Sequence, residues 1–241
     1  MSDLLALSGR VAGFYRQAPR FSRGFVRGKL LTDPATPAIL RLAREAGGFG
    51  AVADLGCGRG QVGLALLASG LAQRVVGLDL DPARIAEARG AASGWPASFA
   101  VADLSTAEVP ACDTALILDV LLQMDEAAQL ALVGRMAAAA RTRVLIRAFD
   151  PDCGWRARLG ARMEEWGVWL RRDGSTFRPL PVRALAAPLE AAGFSTRVFP
   201  CWGWTPLPNV MLVAERGGNG VAERGVSSLA ERGGNDPAER G

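Results

Sequence analysis

The sequence predicts an α/β fold, and three features of residues 50–79 carry this prediction. Small apolar residues at 50–55 are typical of a strand that is buried on both faces, and 61–69 has the periodicity of a helix. Gly56, Gly58 and Gly60 lie at the crossing between the two. A second apolar run, 74–79, ends in Asp79, nineteen residues after Gly60. Together these features indicate a ligand-binding corner at the edge of a parallel sheet.

The glycines and Asp79 also indicate the kind of ligand. Glycine lets the backbone adopt dihedral angles that other residues avoid, and it lets a ligand approach the main chain beside the positive end of a helix. A strand-end carboxylate about 20 residues further on is typical of one that binds ribose hydroxyls. We therefore expect an adenosine-type ligand. The alternative for Asp79 is a helix N-cap, although Asp81 fits that role better because Pro82 favours the first helical position.

The glycines fit two registers. Gly58, Gly60 and Gly63 satisfy the G-x-G-x-x-G pattern of a dinucleotide site, but the first glycine normally follows the strand directly, and here it starts about three residues late. An NAD-dependent oxidoreductase is therefore the alternative. Counted from the acid, Asp54-Leu-Gly-Cys-Gly-Arg-Gly60 resembles the first motif of class I S-adenosylmethionine (SAM)-dependent methyltransferases, which is the interpretation that we favour.

Later segments resemble the same family in the same order, so that the resemblance covers residues 50–214. Asp103 stands where the family's third acid meets the adenine amino group, with a simple loop carboxylate as the alternative, and Leu104 stands where the backbone contacts the ring. The resemblance implies SAM as the cofactor and a Rossmann-like, doubly wound sheet of seven strands, whose last strand, 209–215, is antiparallel to the others. The cofactor-binding residues that it implies are Asp54, Gly56, Gly58, Gly60, Asp79, Leu80, Asp103, Leu104 and Asp119.

Two further segments resemble a subgroup of bacterial methyltransferases that is associated with aryl-polyene-type pigment gene clusters. They are FVRGKLLTDP at 25–34 and WGWTPLPNVMLVAER at 202–216. This resemblance implies a small-molecule or carrier-bound aromatic or polyene acceptor, and it makes Lys29 a candidate pocket residue. The chain departs from many relatives at Leu122 and Gln123, where histidine or an aromatic residue is frequent. A mechanism that needs histidine there is excluded.

The chain contains no histidine at all. This excludes Ser-His-Asp and Cys-His catalysis and every metal motif built on histidine. Methyl transfer loses little, because aligning the nucleophile with an already activated methyl group can provide most of the catalysis. Asp119, Asp150, Asp152 and Tyr15 are the candidate bases, and the sequence alone singles out none of them. The four cysteines are far apart without a C-x-x-C pair, so we expect no metal site and no disulfide.

Residues 1–38 are expected to form a basic, helical N-terminal lid. An apolar stripe with helical spacing runs from Leu4 to residue 18, and Phe21 and Phe25 repeat the spacing after residue 19. A solvated face of a packed helix, a lid over an acidic or carboxylate-bearing substrate, and contact with a membrane surface are the three interpretations. Tyr15 and Lys29 are the candidate substrate residues here. The basic residues of the segment are Arg10, Arg16, Arg20, Arg23, Arg27 and Lys29, against the acids Asp3 and Asp33.

The main domain is expected at 39–214, with a helical insertion at 153–178 between a strand at 143–150 and a helix at 182–192. The insertion carries large apolar residues at intervals of three and four, which are Trp155, Leu159, Met163, Trp166 and Leu170. This stripe either packs against the core or forms an aromatic wall for the acceptor, joined by Trp202 and Trp204. On the second interpretation Trp155, Trp166 and Trp202 contact the substrate. Residues 215–241 repeat AERG every eight residues, which predicts a disordered, low-complexity tail.

Composition restricts the location and the partners of the protein. No apolar run approaches the roughly 20 residues of a membrane span, and the opening MSDLLALSGR has neither a charged leader region nor a cleavage site, so we expect a cytoplasmic protein. The net charge is only +4, and no separate nucleic-acid module is visible. Residues VLLQ follow Asp119, in place of the motifs that accompany methylation of nucleic-acid bases. A nucleic-acid partner is therefore not expected.

The function expected from the sequence is methyl transfer from SAM to a small or carrier-bound, apolar or aromatic acceptor. The acceptor atom is left open among oxygen, nitrogen and carbon. The rival functions are an NAD-dependent oxidoreductase and a non-catalytic SAM-fold scaffold or peripheral membrane module, which would use the basic N-terminal helices.

Overall fold

The computed structural model of the chain describes residues 2–171, 177–202 and 207–217, with the backbone alone at residue 2 and at 163–171. Its sheet has seven strands in the order β3-β2-β1-β4-β5-β7-β6. The first five strands are parallel, and β7 is antiparallel to both of its neighbours, as predicted. The strands are β1 Ala51–Leu55, β2 Arg74–Asp79, β3 Ala97–Val101, β4 Cys112–Leu118, β5 Ala140–Phe149, β6 Phe194–Pro200 and β7 Asn209–Arg216.

Helices cover both faces of this sheet. Adjacent residues of a strand point to opposite faces, so Leu116 belongs to one buried cluster and Ile117 to the other. The first cluster includes the helices before β3, and the second includes the helices at 126–139 and 182–191. The predicted doubly wound α/β fold is thus confirmed. The helices are α1 Ser2–Ala12, α2 Arg20–Thr32, α3 Ala35–Glu45, α4 Gln61–Ala68, α5 Pro82–Ala91, α6 Glu126–Ala139, α7 Gly154–Arg171 and α8 Val182–Ala191.

The N-terminal helices are built into the first cluster. Val11, Tyr15 and Val26 are at most 1% exposed, and they pack in the same cluster as the sheet residues Val52 and Leu116. Helix α3 crosses residue 38, where the lid was expected to end, without a break. The segment is therefore packed into the domain as one of its layers.

The structure also locates the cap of α5, the insertion and the start of the C-terminal tail. Asp81 caps α5, because its Oδ1 accepts hydrogen bonds from the backbone N–H groups of Ala83 and Arg84. The predicted insertion contains α7 up to residue 171, and 172–176 lie outside the described residues. Strand β7 extends to residue 216, and the rest of the expected tail, 218–241, also lies outside them. In the part of the chain that the structure describes, no helix is long and apolar enough to cross a membrane.

Strand order places a binding site. The chain runs outward from β1 through β2 to β3, and then returns to the other side of β1 to form β4 and β5. Loops that leave neighbouring parallel strands in opposite directions open a crevice beyond their carboxyl ends. That crevice lies after Leu55 and Leu118, beside the glycines of the β1–α4 loop.

Candidate active site

The β1–α4 loop adopts backbone angles that favour glycine. Gly56, Gly58 and Gly60 have φ values of 70°, 55° and 76°. A Cβ atom on Gly56 would lie 2.2 Å from Cγ2 of Val120, and one on Gly60 would lie 2.5 Å from Cζ of Phe99. Gly58 has open space above its Cα atom. Two of these glycines therefore permit close packing around the loop, and the third leaves its backbone accessible to a ligand.

A cavity of about 1060 Å³ opens beside this loop. This volume lies at the upper end of the range for small-molecule sites, so the cavity has room for a cofactor together with a second ligand. Eight of the nine residues expected to bind the cofactor line it, and the ninth, Gly60, lies in the adjoining loop. Those eight residues are Asp54, Gly56, Gly58, Asp79, Leu80, Asp103, Leu104 and Asp119.

Asp54 presents a buried carboxylate to the cavity. Its side chain is 3% exposed, and its Oδ2 has no hydrogen-bond partner among the described residues. Burial raises the pKa of Asp54 to about 7; nearby Asp79 also raises it, while the Gly63 N–H lowers it. A buried acceptor atom without a partner is costly, and a cationic ammonium group would satisfy it. The site therefore fits the amino-acid end of SAM at this position.

Asp79 lies at the end of β2 and is tied to the glycine loop. Its Oδ2 accepts the Gly58 N–H at 2.7 Å, and its Oδ1 accepts the Asp81 N–H at 3.0 Å. The helix cap, the alternative considered for Asp79, is provided by Asp81. Asp79 thus fixes the loop. Its carboxylate also lines the cavity, where we expect it to contact the ribose hydroxyls.

Asp103 and Leu104 lie beyond β3 at the far end of the cavity. Asp103 is exposed, and its Oδ1 accepts the Ser105 N–H at 2.9 Å, which holds the pKa of this carboxyl below its usual value. Leu104 is buried, and its carbonyl accepts a hydrogen bond of 2.5 Å from Nη2 of Arg135. Both line the cavity, so the position expected for adenine contains a carboxylate and an apolar side chain.

Four charged residues form a network on the opposite side of the cavity. Arg147 Nη1 lies 2.6 Å from Oδ2 of Asp119 and 3.0 Å from Oδ1 of Asp33. Lys29 Nζ lies 2.8 Å from Oδ2 of Asp33 and 4.0 Å from Oδ2 of Asp119. Although burial opposes it, the two cations hold the pKa of Asp33 below its ordinary value. We call these four residues the charge network.

Asp119 has an unusual backbone conformation. Its φ is 60°, and among the described residues it is the one residue other than glycine with a positive φ. Such conformations are strained and cluster at functional sites. Sequence reasoning identified Asp119 and Lys29 but missed Arg147. A charged residue inside the apolar strand β5 was the signal, because a buried arginine requires a partner.

Two candidate bases lie away from the cavity wall. Tyr15 is 1% exposed, and its hydroxyl donates to the Arg59 carbonyl at 2.6 Å. Burial raises its pKa far above the usual value. Asp150 accepts the Asp152 N–H at 3.0 Å. These placements favour structural roles for both residues.

The expected tryptophan wall is only partly described. Trp155 and Trp202 come together on either side of Arg156, whose Cζ lies 5.2 and 4.4 Å from the two ring centroids. Neither lines the cavity, and the side chains of Trp166 and Trp204 lie outside the described residues. The aromatic residues at the cavity are instead Phe21 and Phe25 of α2, which stack with their centroids 6.3 Å apart. A role for the tryptophans in acceptor binding stays a prediction.

Comparisons with known proteins agree with this geometry. Residues 52–143 match the model of a family described as a methyltransferase domain. No curated protein matches the chain. One similar solved structure is magnesium protoporphyrin IX methyltransferase from Synechocystis PCC 6803 with bound S-adenosylhomocysteine (SAH). It is 22% identical with a TM-score of 0.61, and the match covers 82% of this chain and 88% of that one.

Two other solved structures have the same fold. The N-methyltransferase NodS from Bradyrhizobium japonicum WM9, in complex with SAH, is 15% identical with a TM-score of 0.57, over 75% of this chain and 85% of that one. An O-methyltransferase family protein from Burkholderia thailandensis is 18% identical with a TM-score of 0.61, over 81% of this chain and 58% of that one. The matched methyltransferase domain agrees with the predicted class of enzyme, and the shared fold confirms the predicted Rossmann-like fold.

Proposed function

We propose that this protein transfers a methyl group from SAM to a small or carrier-bound acceptor with an apolar, aromatic or polyene-like body. The observation that carries the proposal is that the strand order β3-β2-β1-β4 separates the cavity lining into two chemically different halves. One half has carboxylates at the ends of β1 and β2 and after β3, and the other has aromatic and aliphatic side chains around Lys29 and Asp119. SAM supplies an activated methyl group on a sulfonium, so the protein has chiefly to align the acceptor with it.

The first half suits the three polar parts of SAM. Asp54 would accept a hydrogen bond from the ammonium group, Asp79 would bind the ribose hydroxyls, and Asp103 would meet the adenine amino group, with Leu104 against the ring. The partnerless Oδ2 of Asp54 supports this assignment most directly.

The second half suits an apolar acceptor. Leu118, Val120 and Met124 line it from the sheet side, and Phe21 and Phe25 line it from α2. Phe21 is 74% exposed, which leaves its ring available to cover a ligand. The resemblance of 25–34 and 202–216 to the aryl-polyene subgroup supports an aromatic or polyene acceptor. The similar structures include an N-methyltransferase and an O-methyltransferase family protein, so the fold leaves the acceptor atom open.

The partner that we propose is a small molecule or a carrier-bound group, and we propose no nucleic-acid partner. A peripheral membrane contact is a second candidate function, because α2 exposes a basic and aromatic surface. Its exposed residues include Arg20, Phe21, Arg23 and Arg27, and its sequence contains no acid. Co-sedimentation with anionic vesicles tests this contact. Loss of binding in the triple Arg→Gln variant at residues 20, 23 and 27 would support it, and absence of binding by the intact protein would exclude it.

The experiment that tests the proposed function is transfer of a labelled methyl group from SAM to a panel of acceptors. The panel contains phenols, carboxylic acids, amines and apolar polyenes, with carrier thioesters of those members that have a carboxyl group for the linkage, and DNA and RNA. We expect label in at least one apolar or aromatic acceptor, with an equal amount of SAH released. SAM binding without transfer to any member would favour the scaffold function, and transfer to nucleic acid alone would contradict the proposed acceptor class.

A further inference from the structure

The charge network contains a buried pair and a more exposed pair. The side chains of Asp33 and Arg147 are 8% and 7% exposed, whereas those of Lys29 and Asp119 are 41% and 33% exposed. Arg147 does not line the cavity, whereas Lys29, Asp119 and Asp33 do. A ligand beside the network therefore meets chiefly the Lys29 ammonium group and the Asp119 carboxylate, 4.0 Å apart, with the mostly buried Asp33 carboxylate behind Lys29.

Arg147 holds this arrangement in place. Its Nη1 contacts a carboxylate oxygen of Asp119 and one of Asp33, and its backbone carbonyl accepts the Asp119 N–H at 3.4 Å. One guanidinium thus connects the end of α2 to the residue after β4. It also restrains Asp119 in the left-handed conformation that directs this residue into the cavity.

The charges of the network indicate the chemistry of its ligand. Two cations and two carboxylates sum to zero, so the network favours an uncharged ligand over one with a fixed charge. The buried Cys201 thiol also lies beside the network, and burial raises its pKa, so it stays neutral. Within the exposed pair, Lys29 favours a developing negative charge and Asp119 favours the release of a proton. An alkylamine, which is protonated at neutral pH, would instead place its charge beside Lys29.

We propose that Lys29 and Asp119 recognise an acidic hydroxyl group, a phenol or an enol, on the acceptor, and that Arg147 is the positioning residue for both. This inference rests on the methyl transfer proposed above. The acceptor oxygen bonds to the methyl carbon, and the carbon–sulfur bond breaks with its electron pair left on sulfur. The hydroxyl proton passes to the Asp119 carboxylate. Lys29 stabilises the oxyanion while its charge develops.

The probe for this inference is 4-nitrophenol, whose absorbance reports whether its hydroxyl is ionised. It is titrated into the protein–SAH complex at a pH near its own pKa. We expect the bound phenol to ionise more readily than the free phenol, with a pKa lower by about one unit, a tenfold change in the ratio of ionised to neutral forms. Saturable binding with unchanged ionisation, or no binding, would overturn the inference.

Variants assign the effect to the network. Lys29→Met should abolish the shift in the pKa of bound 4-nitrophenol. Arg27→Met, which removes an exposed basic side chain from the same helix, should leave that shift unchanged. Arg147→Met should reduce the shift, and Arg147→Lys, which keeps the charge but loses the forked geometry, should restore part of it. A shift that survives Lys29→Met would overturn the role of Lys29, whether or not the Arg147 variants fold.

Controls separate this inference from the proposed function. SAH binding is measured by calorimetry for each variant, and 4-nitroanisole, which has no ionisable proton, reports binding to the apolar surface alone. If SAH does not bind the intact protein, the proposed function fails. If SAH binds and the ionisation of 4-nitrophenol is unchanged, the hydroxyl assignment fails and the methyltransferase function stands.

Discussion

The Tyr15 hydroxyl donates a 2.6 Å hydrogen bond to the Arg59 carbonyl, which joins the N-terminal segment to the glycine loop of the site. Glu87 strengthens this junction, because it accepts hydrogen bonds from Arg59 Nε at 2.7 Å and from the Ser22 hydroxyl at 2.9 Å. The Phe25 ring lies 5.0 Å from Cζ of Arg59. The segment expected to be a lid is thus a support for the cofactor loop, and α2 turns one face toward the cavity.

Replacing Tyr15 with phenylalanine tests this support. Tyr15→Phe leaves the Arg59 carbonyl without this donor, so we expect a loss of about 0.5–1.5 kcal/mol in the free energy of unfolding and a weaker affinity for SAM. Ser8→Ala is the matched control, because it removes a buried hydroxyl that bonds within α1, to the Leu5 carbonyl. Denaturant unfolding and calorimetry measure both variants. Equal SAM affinities in the two would show that the Tyr15 bond has no effect on the loop.

Asp79 is predicted to contribute to SAM binding in two ways, through the ribose and through the Gly58 N–H. Asp79→Ala should weaken the affinity for SAM by about 10- to 100-fold, since a hydrogen bond to a charged group contributes about 1.5–3 kcal/mol. The control is Asp81→Ala, which removes the α5 cap and should cost about 0.5–2 kcal/mol of stability. Calorimetric titration should show much the smaller affinity change for Asp81→Ala. An unchanged affinity in folded Asp79→Ala would remove Asp79 from the cofactor site.

Gly56 is predicted to be intolerant of a side chain. In Gly56→Ala the new Cβ atom would meet Val120 at 2.2 Å, and the φ of 70° would add backbone strain. We expect a lower melting temperature and loss of SAM binding. Gly28→Ala, in helix α2 where nothing lies within 4 Å, should instead stabilise the protein by up to about 1 kcal/mol. Thermal unfolding compares the two, and equal melting temperatures would contradict the packing described around the loop.

Asp54 should make the stability of the ligand-free protein depend on pH. Its pKa is raised from an ordinary 3.8 to about 7, so between these values the folded state keeps a proton that the unfolded state loses. Asp54 therefore imposes no ionisation cost on the folded state below pH 4, and as pH rises its burial lowers the free energy of unfolding, by up to about 4 kcal/mol above pH 7. SAM should reduce this cost, because its ammonium stabilises the ionised form.

Asp54→Asn isolates this effect. The difference in unfolding free energy between the native protein and the variant is measured by denaturant titration at pH 5 and pH 8. We expect the native protein to be less stable, relative to the variant, at pH 8 than at pH 5. The same difference at both values would show that Asp54 is ionised throughout and contradict the raised pKa.

Local sequence patterns predicted the central elements of the fold. The elements and contacts that depend on residues distant in the chain were not predicted. Two features depend on neighbours within a few residues and could be predicted from the sequence. They are the strand, glycines and helix at 51–68 and the Asp81 cap. No sequence pattern located strand β6 individually, because all of its residues except Phe194 are half-buried or exposed and it has no strong apolar run. The role of Arg147 depends on Asp33, 114 residues earlier in the chain, and no local pattern indicates that pairing.

The aromatic side chains at the cavity also depend on contacts between distant parts of the chain. The tryptophan spacing in 153–178 predicted a helix, and α7 confirms it, but periodicity does not indicate which partner a helical stripe faces. Phe21 and Phe25 carry the same kind of spacing and reach the cavity because the buried Ser22 and Val26 anchor the adjacent face of α2. The side of α2 that faces the site is set by tertiary packing.

The most direct test of the central claim is a parallel calorimetric titration of the purified protein with SAM, SAH and NAD(H) at matched salt. The acids after β1, β2 and β3, with the partnerless Oδ2 of Asp54, predict saturable binding of SAM and SAH and no binding of NAD(H). Binding of NAD(H) alone would show that the dinucleotide register of the glycines is correct and would contradict the methyltransferase site.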